Sequence, residues 1–232
     1  MKGFEWIGLL LVYGLFELVD PASLRTATAG EQRRETISFL WAFGALVGPE
    51  RERKLVPITH AMTLKTGDQL KMLVELQNEC FLYVIHHGAK GEVSLIFPYN
   101  LQQFTTDYRT QKRYDIPPGN AWFILDQHIG REAFYLMASA QRLTRLEKLL
   151  DSYAFADPEK KPGLTTQILA EIRQIQRRSR KFATLAERPV VIGGGVRSTS
   201  ESEQTRQADI GTIATAISAN DFFTRTFNID HQ

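Results

Sequence analysis

Five histidines are the first candidates for chemistry in this 232-residue sequence, because imidazole binds metals and transfers protons near neutral pH. His86 and His87 are adjacent at the end of a predicted strand, where successive side chains point to opposite faces. His60, His128 and His231 are scattered, and neither an HxH nor an HExxH spacing occurs. The sequence therefore predicts surface or turn histidines and no metal site.

The single cysteine, Cys80, excludes an intrachain disulfide and a cysteine cluster for zinc or iron–sulfur. A nucleophilic thiol needs a histidine beside it as a base, and His86 lies too far away along one extended strand. We therefore expect Cys80 to be a buried structural thiol. Gly193–Gly195 lacks the pattern of a phosphate-binding loop, and no GxSxG elbow occurs, so we expect no cofactor and no serine hydrolase chemistry.

Charged groups at predicted turns are the remaining candidates for a site. Asp68, Asp126 and Glu132 flank turns, and turn chemistry explains these carboxylates without catalysis. The alternative is an enzyme of unrecognised type that gathers Asp68, Asp126, Arg131 and Glu132 in one cleft and strongly perturbs their pKa values. We assign no catalytic residue. The candidate binding residues are Asp68, Tyr83, Trp122, Arg131 and Glu132.

A basic helix face is the main electrostatic feature of the sequence. Several cationic side chains on one face create a local positive field although the net charge is only +2. A solvated helix face explains these residues without a ligand, because basic solvated helices are common, and an acidic protein or an envelope surface is the alternative partner. Nucleic acid is not expected, because aromatic residues are not interleaved with the basic ones. The face consists of Arg173, Arg177, Arg178, Arg180 and Lys181.

The N-terminus resembles a signal peptide. Lys2 precedes an uninterrupted apolar run from Trp6 to Phe16, which is too short for a membrane span of about twenty residues. Ala27-Thr28-Ala29 then provides a small-x-small cleavage site before Gly30. The sequence therefore predicts export to the periplasm or envelope, with residues 1–29 removed. A peripheral membrane anchor and an ordinary buried helix in a cytoplasmic protein remain the alternatives.

Apolar/polar alternation predicts several strands in the first half of the chain. Every second residue from Ile37 to Ala45 is apolar within a predicted strand at Thr36–Val47. A turn at Leu64–Asp68 precedes Leu70–Leu76, which alternates as a half-buried strand does.

The following strand, Cys80–His86, is apolar on both faces and is expected inside its sheet. Gly88–Gly91 predicts a hairpin to the next strand, which Pro98 ends. Asn100–Arg113 is expected to be a surface connection. After a turn at Ile116–Asn120, Ala121–Leu125 is predicted to pair with Glu132–Ala138 as an antiparallel pair.

Helical periodicity replaces alternation from Leu143 onward. Thr144 and Glu147 fit a capping box at the start of a first helix. After a break at DPEKKPG, a second helix is predicted from about Thr165 to Ala186, and Pro189 ends it. Its inward residues are Ile168, Ile172, Ile175 and Phe182, and the later predicted strands are Pro189–Ile192, Ile210–Ile217 and Phe222–Ile229.

The order of turns and strand ends resembles the bacterial domain of unknown function DUF4384. The resemblance depends on Thr66-Gly67-Asp68, Tyr83-Val84, Ile96-Phe97-Pro98, Gly130-Arg131-Glu132 and Ala138-Ser139. It covers Phe39 to Leu150 and includes Phe222–His231 as a last strand. The resemblance implies a β-rich module of bacterial envelope and signalling proteins, and the family carries no established catalytic residues.

These patterns together predict one mainly β domain over residues 30–232. Its fold is expected to be an antiparallel β-sandwich, Ig-like or similar, with a helical hairpin inserted at about residues 143–186. The predicted function is a non-catalytic binding module of the bacterial cell envelope that recognises a protein or a cell-wall component. A cytosolic regulatory or adaptor domain of a signalling or secretion system is the alternative.

Overall fold

The computed structural model of the chain describes residues 35–49, 52–179, 185–192 and 208–232. Several predicted features lie outside these residues: the signal peptide at 1–29, Arg180, Lys181, Phe182 and the Gly193–Gly195 loop. Within the described residues, no helix has both the length and the apolar character needed to cross a bilayer.

Two β-sheets form the described part of the protein, and the first of them contains seven strands there. Its strands are β1 (Thr36–Val47), β2 (Lys54–Pro57), β4 (Gln69–Leu76), β7 (Arg113–Ile116), β8 (Phe123–Ile124), β10 (Leu185–Pro189) and β11 (Thr215–Asn220). The order is β10-β11-β1-β4-β7, with β2 paired to β1 and β8 paired to β4. All of these pairs are antiparallel.

The second sheet has five strands among the described residues. They are β3 (Ala61–Leu64), β5 (Phe81–His87), β6 (Val93–Phe97), β9 (Gly130–Ser139) and β12 (Phe222–His231). The order is β3-β12-β9-β5-β6, in which β3 runs parallel to β12 and the other pairs are antiparallel. The expected interior position of β5, its hairpin to β6 and the end of β6 before Pro98 are confirmed.

The main hydrophobic core lies between the two sheets and confirms the predicted β-sandwich. The alternating residues of β1, from Ile37 to Ala45, are buried there. Phe43 packs edge-on against Phe134 of the second sheet with ring centroids 5.1 Å apart, and Trp41 stacks on Phe227 at 5.9 Å. Aromatic contacts of this kind hold the two layers in register.

A helical hairpin covers the outer face of the second sheet, as expected. It consists of α2 (Thr144–Ala154) and α3 (Lys161–Ser179), and a short α1 (Gln103–Thr106) lies in the preceding connection. The buried helix residues Leu146, Leu150, Ile168, Ile172 and Ile175 pack in one cluster with Tyr83, Ile85 and Met137 of the sheet.

Two helix predictions were wrong. The second helix begins at Lys161 rather than at Thr165, because a proline is tolerated in the first turn of a helix and Pro162 occupies that turn. It does not reach Ala186, since Leu185–Pro189 forms the edge strand β10. The capping box is also absent: Leu143 caps α2 without a side-chain hydrogen bond, and the carboxylate of Glu147 turns inward.

The first sheet is also covered on its outer face. A 3-10 helix at Ile210–Ile213 packs with Ala214 against Ala42 and Leu73. The prediction of a half-buried β4 was therefore wrong, because Leu73 and Lys71 are buried as well as the alternating apolar residues. The predicted strand at Ile210–Ile217 was correct only from Thr215 onward.

Strand β8 does not pair with β9 as predicted. It pairs with the start of β4, where Gln69 faces Ile124 and Leu70 faces Phe123. Strand β9 instead lies between β5 and β12 in the other sheet. This arrangement separates the two strands across the sandwich and leaves a space between them.

Candidate functional site

An edge cleft of about 360 Å³ opens between β6 and β8. Each of these strands has a partner on one side alone among the described strands, β5 for β6 and β4 for β8. The apolar lining consists of Leu70, Ile96, Phe123, Ile124, Leu125, Phe134 and Ala89. The ionisable lining consists of His86, Lys90, Glu92, Asp126, His128 and Glu132.

The Thr66-Gly67-Asp68 turn positions the β8 wall of the edge cleft. Gly67 has a φ of +90°, a conformation that favours glycine, and its N–H donates to the Leu125 carbonyl over 2.9 Å. The Leu125 N–H donates to the Asp68 carbonyl over 3.0 Å. The Asp68 carboxylate accepts the Lys65 N–H at 2.8 Å, so Asp68 closes the turn and does not line the cleft.

Gly130 brings the opposite wall into place. Its φ is +147°, and a Cβ atom there would lie 2.8 Å from the Cβ of Ala89 in the β5–β6 hairpin. The close approach of these two turns puts the start of β9 beside the end of β5. The Gly-Arg-Glu turn therefore has a structural reason for its glycine and places Glu132 inside the cleft.

Glu132 is the centre of a polar chain at the floor of the edge cleft. Its side chain is 13% exposed, and Oε2 lies 2.9 Å from His86 Nε2. Its Oε1 lies 3.6 Å from Nδ1 of the fully buried His231. The His86 ring stacks on Phe134 with centroids 4.6 Å apart, which fixes its orientation.

His231 is tied to the turn below the cleft. Its Nε2 lies 3.1 Å from Thr66 Oγ1, whose hydroxyl donates to the Asp126 carbonyl over 2.9 Å. Because the single hydroxyl proton of Thr66 is used there, His231 Nε2 must be the donor in its own hydrogen bond. His231 Nδ1 is buried without a hydrogen-bond partner.

A second histidine–carboxylate pair lies at the rim. His128 Nδ1 is 2.6 Å from Asp126 Oδ2, and the His128 backbone N–H donates to Oδ1 over 2.7 Å. These hydrogen bonds from His128, with the positive charge of Lys90, hold the pKa of Asp126 below its usual range. Asp126 is therefore an acceptor at neutral pH and not a proton donor.

The arrangement is suited to binding donors and cations. Among the described residues, no group of three or more His, Cys, Asp or Glu side chains is arranged to hold a metal ion.

Cys80 is buried, and this burial raises the pKa of its thiol to about 12. A thiol with that pKa is protonated at neutral pH, so the prediction of a structural cysteine is confirmed.

The predicted site residues do not all meet. Glu132 and Asp126 line the edge cleft, and Asp68 supports its wall from the neighbouring turn. Arg131 points to the other face of β9, where it lines a shallow pocket of about 400 Å³ with Asp230. Two of the three carboxylates of the enzyme alternative therefore line the same cleft, whereas Asp68 and Arg131 do not.

Tyr83 and Trp122 have structural positions. Tyr83 is fully buried beneath α2, and its hydroxyl donates to Glu147 Oε1 over 2.5 Å. Trp122 lies in the loop before β8, and the ammonium of Lys71 is 5.6 Å from the centre of its ring. Lys71 also donates to the carbonyls of Gly119 and Ala121, which fastens this loop to β4.

The part of the basic face that lies within the described residues of α3 is exposed. Arg173, Arg177 and Arg178 are exposed on α3, and the last two lie in its final turn. Positive charge at that end also complements the helix dipole, which gives these arginines a stabilising role of their own.

Sequence reasoning missed His86 and His231 as neighbours of Glu132. The two histidines are 145 positions apart in the chain, and strand pairing through β9 and β12 brings them together. No local spacing carries that information. His128 and Asp126, two residues apart beside a turn, were a signal that could have been read, because Asp commonly hydrogen-bonds the residue two positions onward.

Comparison with known families confirms the resemblance over part of the chain. The family model of DUF4384, described as a domain of unknown function, matches residues 63–142. This range is narrower than the Phe39–Leu150 region expected from the motifs. Comparison with curated proteins and with solved structures returned no match. The resemblance to DUF4384 is therefore confirmed for the segment from residue 63 to residue 142.

Proposed function

We propose that the chain is a non-catalytic binding module that takes its ligand in the edge cleft. The observation that carries this proposal is that the segment matching the family model supplies the whole lining of the cleft. Every lining residue lies between Leu70 and Phe134, inside the segment that matches the family model. A cavity with apolar walls and a few converging polar groups is the usual form of a binding site.

The state of the cleft's polar groups supports recognition rather than turnover. Both histidines in the cleft contact a carboxylate, His86 at Glu132 and His128 at Asp126. The lowered pKa of Asp126 favours a fixed negative charge, whereas a general acid needs a raised pKa. Fixed charges favour selection of a complementary ligand.

We place this module in the bacterial cell envelope, with a protein as its partner. The signal-like start of the sequence supports export, and the apolar segment would allow peripheral membrane contact if it were retained. N-terminal sequencing of the protein from fractionated host cells tests this placement. We expect a chain that begins at Gly30 in the periplasmic fraction, and an intact Met1 in the cytosol would support the adaptor alternative instead.

Site-specific cross-linking tests the binding proposal. A benzophenone amino acid replaces Ile124, a 63% exposed residue of the cleft wall, in the full chain produced in its native host. The matched control replaces Phe155, which is 86% exposed in the turn after α2. We expect a discrete adduct from position 124 and none from position 155. An adduct from position 155 alone would contradict a ligand site in the edge cleft.

A further inference from the structure

We infer that the edge cleft recognises a lysine or arginine side chain carried by an extended segment of a partner protein. This inference rests on the proposed function and names the chemistry of its ligand. It depends on three features of the cleft: its charge balance, an acceptor oxygen at its floor, and its position between two sheet edges.

The charge balance of the cleft is acidic. Three carboxylates, Glu92, Asp126 and Glu132, line it together with one ammonium group, that of Lys90. Each of its two histidines lies against one of these carboxylates, His86 at Glu132 and His128 at Asp126. A cationic ligand gains favourable interactions with the carboxylates, which outnumber the ammonium group, whereas an anionic ligand is repelled.

The floor of the cleft presents a carboxylate oxygen that can accept a further hydrogen bond. Glu132 lines the cleft, and its Oε2 lies 2.9 Å from His86 Nε2. Its Oε1 lies 3.6 Å from Nδ1 of His231, which is too long for a hydrogen bond. His231 itself is fully buried and is not among the lining residues of the cleft. An ammonium or guanidinium group that enters the cleft brings several N–H donors and can donate to Glu132 Oε1.

The walls suit the rest of such a side chain. Ile96, Phe123 and Phe134 provide apolar surface along which the methylene groups of lysine or arginine can pack. The cleft opens between β6 and β8, both of which are edge strands among the described residues. An extended segment can therefore lie along these strands while one of its side chains enters the cleft. These features favour a basic residue within a protein over a free small amine.

A titration of the isotopically labelled full chain tests the inference. The probes are a blocked pentapeptide with a central arginine and the same peptide with citrulline, which is isosteric and uncharged. We expect the arginine peptide to shift the backbone amide signals of the cleft residues. The citrulline peptide should bind at least about 10-fold more weakly, because its urea group lacks the positive charge that strengthens a hydrogen bond to a carboxylate.

Variants assign the effect to named groups. Glu132→Gln should weaken arginine-peptide binding about 10-fold or more. Glu92→Gln changes an exposed rim carboxylate and should weaken binding severalfold without disturbing the fold. Lys90→Gln should tighten binding roughly 2- to 5-fold, since it removes the competing cation. Glu79→Gln is the matched control, because Glu79 is exposed in the connection between β4 and β5 at their far ends and should have no effect.

The outcomes separate this inference from the proposed function. Equal binding of both peptides at the cleft would overturn the cationic ligand and leave a binding cleft. Shifts caused by spermine but not by the arginine peptide would overturn the protein-borne side chain in favour of a small amine. If neither peptide shifts the cleft signals, the inference is wrong, and cross-linking from position 124 still decides the proposed function independently.

Discussion

Replacing Tyr83 with phenylalanine removes one oxygen atom from beneath the helical hairpin. The Tyr83 hydroxyl donates to Glu147 Oε1 over 2.5 Å and accepts the Leu143 N–H at 3.1 Å. Burial and the hydrogen bond to Glu147 raise the pKa of Tyr83, so the hydroxyl keeps its proton and remains a donor. Arg142 also pairs with the Glu147 carboxylate at 3.0 and 2.7 Å. Tyr83→Phe therefore removes one of the three hydrogen bonds to this buried carboxylate and leaves the two from Arg142.

The size of the effect follows from these contacts. A hydrogen bond to a charged acceptor contributes about 1.5–3 kcal/mol, and the Leu143 N–H also loses its acceptor. Because Arg142 remains and the site can relax, we expect a loss of about 2–3 kcal/mol in the free energy of unfolding. For a domain of this size that corresponds to a fall in Tm of about 5–10 °C.

Urea denaturation followed by circular dichroism measures this loss. Tyr135→Phe is the matched control, because Tyr135 is a half-buried tyrosine on the neighbouring strand β9 and lies outside this network. It should change stability by less than about 0.5 kcal/mol. A double-mutant cycle of Tyr83→Phe with Glu147→Gln should give a coupling energy of about 1–2 kcal/mol.

Two results would refute the reasoning. A loss below about 0.5 kcal/mol with no coupling to Glu147 would mean that the hydroxyl does not anchor the hairpin. Unchanged stability together with lost ligand binding would make Tyr83 a binding residue. The structure favours the structural role, since Tyr83 is fully buried.

Three further predictions concern packing, pH and reactivity. Gly44→Val should lower the free energy of unfolding by about 1–3 kcal/mol through overpacking, because a Cβ there would lie 2.7 Å from Ile213 Cδ1. Thermal unfolding measures this loss, and we expect Ile213→Ala to restore part of it. His128→Ala should raise the pKa of Asp126 toward its usual value, and NMR of the carboxyl group measures this change. Because the pKa of Asp126 is lowered in the folded protein, its ionisation stabilises the fold at pH values above the ordinary carboxyl pKa of about 4. This stabilisation is lost as the pH falls through the folded-state pKa, and the variant should lack it. Cys80 should not react with a thiol reagent at pH 8 until the protein is denatured, because its pKa is about 12; rapid reaction in the native state would contradict its burial.

Local patterns in the sequence predicted many elements of the sandwich. Period-two alternation identified β1 and β12, and glycine turns identified the β5–β6 hairpin. These features depend on neighbours within a few residues, where steric and hydrogen-bonding preferences act directly. The inward isoleucines of α3 followed from the helical period in the same way.

The choice of strand partners could not be read locally. Phe123–Ile124 has no pattern that distinguishes β4 from β9 as its partner, and burial across the whole sandwich decides it. The same limit applies to β4. Its alternation predicted a solvated outer face, whereas the 3-10 helix at Ile210–Ile213 covers Leu73 there.

The candidate site was predicted only in part. Glu132 was identified as a turn carboxylate, but its neighbours His86 and His231 come from strands that meet it through long-range pairing. Arg131, next to Glu132 in the chain, points to the opposite face because side chains alternate along a strand. Adjacency in sequence therefore suggested a partnership that the strand geometry prevents.

A cross-linking walk tests the edge cleft as the ligand site most directly. Benzophenone probes at Ile124, Lys90 and His128 surround the cleft, and probes at Phe155, Glu79 and Arg177 occupy exposed positions away from it. We predict that the three cleft positions give one adduct of the same mass in the native host and that the three remote positions give none. Adducts from the remote positions with none from the cleft would contradict the account.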